Sequence, residues 1–376
     1  MNDFFERLKN DRLLQIILIF ILISFITIFN LIIKPLFFPK KVQKNCYNEK
    51  ITIWTPFESD KILQYISPLS EFCLQFDIIQ KPLDQIHKNL IYALAKENFP
   101  DIVIVDNYFL KDNQDLFSTT TPIYIDALIA FYNQNILNFL NLEKPKTLEE
   151  LKEFIKKIKN YKKDFYPFIL GTKNVKNYKE IILTLMTLNP NYQEKSDFKN
   201  NLLKALDIYF SFNDPKNDFF LNVSENDNDL INFANEKSVL YFGFYEDKKE
   251  ILKINPTINI SYELLPLNTF PPKAKIYSKT YYLATVKKSK LKSLDYFYNW
   301  FLNKALTSLI NDFDLVPFKE DKNISKEKLI VINSVKNFGE SFDFIDKEKL
   351  FYNFDKIMDS YDNKYDLNYI LERIFY

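Results

Sequence analysis

The stretch Asp101-Ile-Val-Ile-Val105 decides how the rest of the chain is read. Four consecutive apolar residues after a turn-forming Pro100-Asp101 have the pattern of a strand buried on both faces, as in a parallel sheet. Just upstream, Ile86, Leu90, Ile91 and Leu94 recur at helical spacing over residues 84–98. Before that helix come Phe76-Asp-Ile-Ile-Gln80, read as a strand, residues 59–75, read as a helix, and Lys50-Ile-Thr-Ile-Trp-Thr55, read as an opening strand that stops at Pro56. Alternating strands and helices of these lengths mark an α/β fold. Right-handed crossovers then set the three strands side by side.

Downstream, Pro122 to Tyr132 reads as another strand. Thr147-x-x-Glu150 forms a capping box that opens an amphipathic helix from Leu148 to Ile158. Helical patterns follow at 178–188 and 198–212, an Asn/Asp-rich loop at 213–229, and strands at 238–244 and 260–265. A proline-rich link at Pro271-Pro272 precedes a strand at 281–286, a helix at 291–302 and a mostly helical tail from 342 to 376.

Composition narrows the chemistry. The 376 residues suffice for two lobes and an additional segment. Only three glycines are present, Gly171, Gly243 and Gly339, so neither a GxGxxG fingerprint nor a Walker A loop can be written. One histidine, His87, and two cysteines, Cys46 and Cys73, provide no CxxC or HExxH metal motif, and no cofactor or metal is expected. His87 lies in a polar helical stretch and reads as a surface residue. Fifty basic residues against 49 acidic give a net charge of +1, so no global field favours nucleic acid.

From Leu13 to Ile33 the chain carries no charged residue. As a helix those 21 residues are about 31 Å long, the thickness of a bilayer core. The following Lys34-Pro-Leu-Phe-Phe-Pro-Lys-Lys41 has no small-residue cleavage site, so the helix reads as a retained transmembrane anchor. Basic residues flank both ends, and charge counting alone leaves the orientation open.

In its order of parts the chain resembles the extracellular solute-binding proteins of ABC importers, the group that includes maltose-binding protein. The residues that carry this are Ile51-Thr-Ile-Trp54, Asn98-Phe-Pro-Asp-Ile-Val103, Tyr124 to Asn133 followed by Pro145-Lys-Thr-Leu-Glu-Glu150, and Ala234-Asn-Glu-Lys-Ser-Val-Leu-Tyr-Phe-Gly243. Leu264-Leu-Pro266, the 281–286 strand and Trp300-Phe-Leu302 continue the resemblance, which covers about residues 50–318. The family's usual glycine before Pro-Asp is Phe99 here, and its tryptophan after Pro-Lys-Thr is Leu148.

The resemblance implies an α/β, two-lobed periplasmic-binding-protein-like (type II) fold. With the N-terminal transmembrane helix, the expected division is residues 1–12 cytoplasmic, 13–33 membrane and 34–49 spacer. Lobe 1 is expected over 50–120 and 268–312, and lobe 2 over 121–267 and 313–376. Crossovers near 117–122, 266–275 and 312–317 would link the lobes. The resemblance also implies a monomeric body outside the cell, held at the membrane beside ABC permease subunits. Cys46 and Cys73 are then either a disulfide or two unrelated thiols.

Ligands of open α/β sheets bind beyond the carboxyl ends of the strands. The first strand delivers Phe57 and Glu58 to that edge, the 101–105 strand delivers Asp106, Asn107 and Tyr108, and the late strand delivers Phe244 and Tyr245. Aromatic faces beside carboxylates and amides suit a polar, ring-shaped solute such as a sugar. The resemblance adds Asp126 as a ligand contact. Glu58 with Asp106 is the one carboxylate pair a glycosidase reading would use, and nothing in the sequence marks either as a tuned acid. The expected role is therefore solute binding and not catalysis, with a tethered scaffold that has lost its ligand as the second reading.

Overall fold

A computed structural model describes residues 46–161, 167–189, 191–194, 196–221, 228–265, 275–319, 324–340, 342, 347–361 and 364–375, together with Ile23, Ser24, Phe25 and Thr27. The expected membrane helix at 13–33 lies outside the described residues except for those four, which are helical. Among the described residues no helix is long and apolar enough to cross a membrane. The proline-rich link at 271–272 also lies outside them. Contacts divide the chain into two units, Met1–Asn48 with Glu71–Cys73, and Glu49–Ser70 with Leu74–Tyr376. In the first, Cys46 and Cys73 form a disulfide, and Tyr47 N donates to Phe72 O at 2.9 Å.

Among the described residues the second unit holds nine strands: β1 (Glu49–Thr55), β2 (Leu74–Gln80), β3 (Ile102–Asp106), β4 (Phe117–Asn133), β5 (Leu240–Phe244), β6 (Ile260–Glu263), β7 (Ile276–Val286), β8 (Val316–Pro317) and β9 (Gly339–Glu340). Their order is β2-β1-β3-β7-β4-β5, with β6 and β8 on β4 and β9 on β7. β1 pairs in parallel with both β2 and β3, as the strand-helix alternation predicts. The helices are α1 (Ser59–Ile66), α2 (Leu83–Ala95), α3 (Asn107–Asp112), α4 (Gln134–Leu140), α5 (Leu148–Tyr161), α6 (Tyr178–Met186) and α7 (Phe198–Ser211). They continue with α8 (Asp229–Ala234), α9 (Asp247–Ile254), α10 (Leu294–Trp300), α11 (Leu306–Asp312), α12 (Lys326–Phe338), α13 (Lys347–Asp359) and α14 (Lys364–Phe375).

Several expected boundaries shift for local reasons. The helix expected over 59–75 stops at Ile66, and a 3₁₀ segment follows from Ser67 to Phe72. Pro68 cannot donate to the preceding turn. Glu150 N donates to Thr147 Oγ1 at 3.1 Å as the capping box requires, while the Glu150 carboxylate reaches back to Lys146 N at 2.7 Å. The strand expected from residue 122 begins at Phe117 and that expected from 281 begins at Ile276, so β4 and β7 are 17 and 11 residues long.

Side-chain alternation along β4 feeds separate cores. Leu128, Ala130 and Tyr132 pack with Ile155, Ile182, Leu206, Phe354 and Leu371 from α5, α6, α7, α13 and α14. Ile129 and Phe131 turn the other way, onto Phe233, Ile251 and Val331 from α8, α9 and α12. A third core joins Trp54, Val103, Val105 and Ala284 to Ile86, Leu90 and Phe109 of α2 and α3. β4 runs between these cores: its N-terminal part pairs with the β7 end that also contacts β3, and its C-terminal part pairs with β5 and β6.

Candidate functional site

Two cavities open where β4 and β7 pass from one set of strands to the other. The larger, about 1020 Å³, is lined by Asp84, His87, Asp106 and Tyr108 from the α2 and α3 side. Tyr277, Lys279 and Tyr281 of β7 line it as well, and Glu180, Glu246, Lys349, Phe351 and Tyr352 come from the opposite side. The smaller, about 400 Å³, is lined by Phe57, Glu58, Tyr124, Asp126, Phe244, Tyr245, Glu246, Lys279 and Phe313 among others. Glu246 and Lys279 belong to both, and so stand at their junction.

The candidates from the sequence divide between them. Phe57, Glu58, Asp126, Phe244 and Tyr245 reach the smaller cavity, Asp106 and Tyr108 the larger, and Asn107 lines neither. Asn107 is a brace: its Oδ1 accepts from Thr280 N at 2.9 Å and pins α3 to β7. Asp106 caps α3, accepting from Tyr108 N at 3.1 Å and Phe109 N at 2.9 Å. Tyr108 donates its hydroxyl to Ser278 O at 2.8 Å. Glu58 pairs with Lys61 at 3.3 Å and with Lys249 at 3.9 Å, both near solvent.

The aromatic candidates are more occupied than the sequence suggests. The Phe57 ring lies 4.7 Å from Phe313 and 5.8 Å from Tyr124. Lys279 Nζ sits 3.9 Å from the centre of the Phe244 ring. Tyr245 is buried, with Lys248 Nζ donating to its hydroxyl at 3.2 Å. In the larger cavity, Tyr108, Tyr281 and Phe351 supply rings and Tyr352 stands exposed at the edge.

Asp126 is the most enclosed of the acidic candidates. Its carboxylate accepts from Ala127 N at 2.7 Å, Tyr245 N at 2.8 Å and Glu246 N at 3.0 Å, tying β4 to the turn after β5. Burial raises its pKa, and repulsion from Glu246 adds to the shift. Protein surrounds Glu246 on most sides although water reaches it, and the partial desolvation raises its carboxyl too. Glu180 is raised by burial, with Lys279 acting in the opposite direction. Behind the smaller cavity Asp247 accepts from Tyr241 Oη at 2.7 Å and Phe244 N at 3.0 Å, and pairs with Lys176 at 2.8 Å. A Cβ on Gly243 of β5 would lie 2.5 Å from that carboxylate and 2.2 Å from the Tyr241 ring, so this position accepts only glycine without rearrangement.

Lys279, Glu180, Glu246, Tyr281 and Phe351 were not among the sequence candidates. Lys279 is the one signal available beforehand, a lone charge between Ser278 and Thr280 in an otherwise apolar and aromatic strand. His87, expected at the surface, instead lines the larger cavity, stacked on Phe109 at 4.6 Å with Nε2 3.7 Å from Asp106 Oδ1. Its helix buries the Ile86 and Leu90 face against the sheet, which turns residue 87 toward the strand ends. Among the described residues no group of His, Cys, Asp or Glu is arranged to hold a metal ion.

Solved structures share this architecture. A cyclo/maltodextrin-binding protein complexed with maltotetraose superposes with a TM-score of 0.66 over 87% of this chain and 96% of its own, at 12% identity. The chain has the fold of the two-lobed solute-binding proteins. A solute-binding protein in complex with raffinose gives 0.63 over 87% and 98% at 13% identity. An ABC transporter solute-binding protein of Thermotoga lettingae bound with α-D-tagatose gives 0.60 over 86% and 95% at 16% identity. No protein-family model and no curated protein matches the sequence.

The buried acids give the protein an unusual pH dependence. Asp229, which accepts from Lys176 N through both oxygens at 3.2 Å, is pushed up to about 7 by burial. Between pH 4 and 7 the folded chain therefore holds a proton that the unfolded chain has released. This contribution to stability is complete below about pH 4 and is lost as the pH rises through 7. Asp126, Glu180 and Glu246 act in the same direction. Thermal midpoints of the full-length protein are expected to fall from pH 5 to pH 7.5, with a shallower slope in Asp229→Asn. A midpoint that rises over that interval contradicts the assignment.

Proposed function

We propose that this chain is an extracytoplasmic solute-binding protein, anchored by residues 13–33, that captures a sugar or oligosaccharide and presents it to an ABC permease. The observation that carries the reading is the cavity of about 1020 Å³ lined by ring faces and carboxylates, on a fold shared with proteins solved bound to maltotetraose and raffinose. Flat apolar faces beside hydrogen-bonding acids are what a pyranose needs, since it is apolar above and below its ring and polar around its edge.

The lobes of this reading are 50–120 with 268–312, and 121–267 with 313–376. β4 and β7 serve as hinge strands, and register shifts between Phe117 and Thr119 and between Pro122 and Tyr124 give β4 irregular points at which to bend. Closing on the solute is a population shift: a ligand that touches both sides only in the closed state stabilises that state by its differential contacts. Tethering keeps the loaded receptor at high local concentration beside a permease. Asp106, Tyr108, Glu180, Glu246, Lys279 and Tyr281 are assigned to the ligand, with Phe57, Glu58, Asp126, Phe244 and Tyr245 lining the adjoining smaller space. Asn107 supports the site without touching the solute.

The second reading, a tethered scaffold that kept the fold and lost its ligand, is favoured by one feature, the smaller cavity, where Phe57 and Phe244 already have partners on their rings.

A thermal-shift screen of the full-length protein in detergent against neutral, amino and acidic mono- and oligosaccharides distinguishes the two. A ligand at 100 times its Kd stabilises the fold by about 2.7 kcal/mol, and Asp106→Ala together with Tyr281→Ala should abolish the shift. A flat response to every saccharide sinks the receptor reading and favours the scaffold. For the anchor, deletion of residues 1–33 should move the protein from the membrane pellet to the supernatant, and persistence in the pellet would contradict a single N-terminal tether.

A further inference from the structure

The charges at the junction of the two cavities do not balance. Lys279 is flanked by Glu180, Glu246, Asp106 and Asp126. Two of these acids already have donors: three backbone N–H groups for Asp126, and two for Asp106, which also has His87 close by. Among the described residues, the Glu180 and Glu246 carboxylates have no side-chain donor within ion-pair distance, and Lys279 makes no ion pair within 4.0 Å. The lysine ammonium rests instead on the Phe244 ring, between the cavities.

Two of the nearby cations are engaged elsewhere. Lys176 is committed to Asp247 and Glu250, and Lys248 to Asp314 and Glu327. Lys88, Lys111 and Lys349 line the larger cavity, as do Asp84 and Asp112. The larger cavity is thus lined by five acids, Asp84, Asp106, Asp112, Glu180 and Glu246, against four lysines, and at its junction with the smaller cavity Lys279 is, among the described residues, the one lysine beside Glu180 and Glu246.

We propose that the larger cavity selects a cationic saccharide, an amino sugar whose free ammonium group is held by Glu180 and Glu246 while Lys279 donates to a neighbouring ring hydroxyl. The inference rests on the saccharide-receptor reading and adds the charge of the ligand. A neutral or N-acylated sugar fills the same volume without this attraction, and a uronic acid brings a further negative charge to acids already short of donors. The rings of Tyr281 and Phe351 line the same space. Burial raises the pKa of both Glu180 and Glu246, with Lys279 acting in the opposite direction.

Calorimetric titration of the full-length protein in detergent at pH 6.5 and low salt, with the β-1,4-linked glucosamine disaccharide, its di-N-acetylated form, cellobiose and cellobiouronic acid, tests this. The free amine should bind at least tenfold more tightly than cellobiose or the acetylated form, and added salt should shrink that margin. Glu246→Gln should narrow the amine-to-neutral affinity ratio at least fivefold, a ratio that a general loss of folding or affinity leaves unchanged. Equal or tighter binding of cellobiose, the acetylated sugar or the uronate overturns the cation preference and leaves the saccharide receptor standing. Binding of none of the four also overturns it, and the wider saccharide screen then decides separately on the receptor reading.

Discussion

The pairing of β4 with β7 is the constraint on which the rest of the structure depends. Each strand is long enough to belong to two neighbourhoods, so one antiparallel ladder joins cores that otherwise pack separately. Within that ladder Asp126 lies opposite Lys279, and Tyr124 opposite Tyr281 with their rings stacked 4.1 Å apart. The ladder therefore does two things at once: it joins the separate cores and lays a charged and aromatic floor beneath the two cavities.

Buried polar groups hold that floor in place. Asp126 ties β4 to the turn after β5, and Asp247 ties the same turn to Asn177, Tyr241 and Lys176. A buried acid without such donors costs several kcal/mol, so these carboxylates are tolerable only because backbone and side-chain donors surround them. Their lone pairs are largely used in support. Glu246, Glu180 and Lys279 sit just beyond this shell, and their unused hydrogen-bonding capacity faces the cavities.

Much of the fold was legible because it is written locally. The apolar run Ile102 to Val105, the helical spacing of Ile86, Leu90 and Leu94, and the Thr147 to Glu150 capping box each carry their structure within a few residues. The strand ends also pointed to residues that line the cavities, apart from Asn107. What escaped depends on distant pairing. β7 before residue 281 reads as polar because Ser278, Lys279 and Thr280 interrupt it, yet β4 holds it extended. Glu180 and Phe351 come from helices far apart in sequence, and their meeting with Lys279 follows from packing rather than from any motif. His87 was misplaced because a polar stretch on an amphipathic helix looks solvated until the cavity beside it is known.

In the proposed receptor reading, the cleft narrows around a solute by motion about the β4–β7 ladder. The most direct test is the distance between spin labels at Lys88→Cys on α2 and Lys349→Cys on α13, which face the larger cavity from opposite sides. Measured by pulsed electron resonance on the full-length protein, with and without a saturating saccharide identified in the thermal screen, the distribution should shift to shorter distances and sharpen. An identical distribution in both states would contradict hinge closure, and with it the central claim that the two halves act together on a captured ligand.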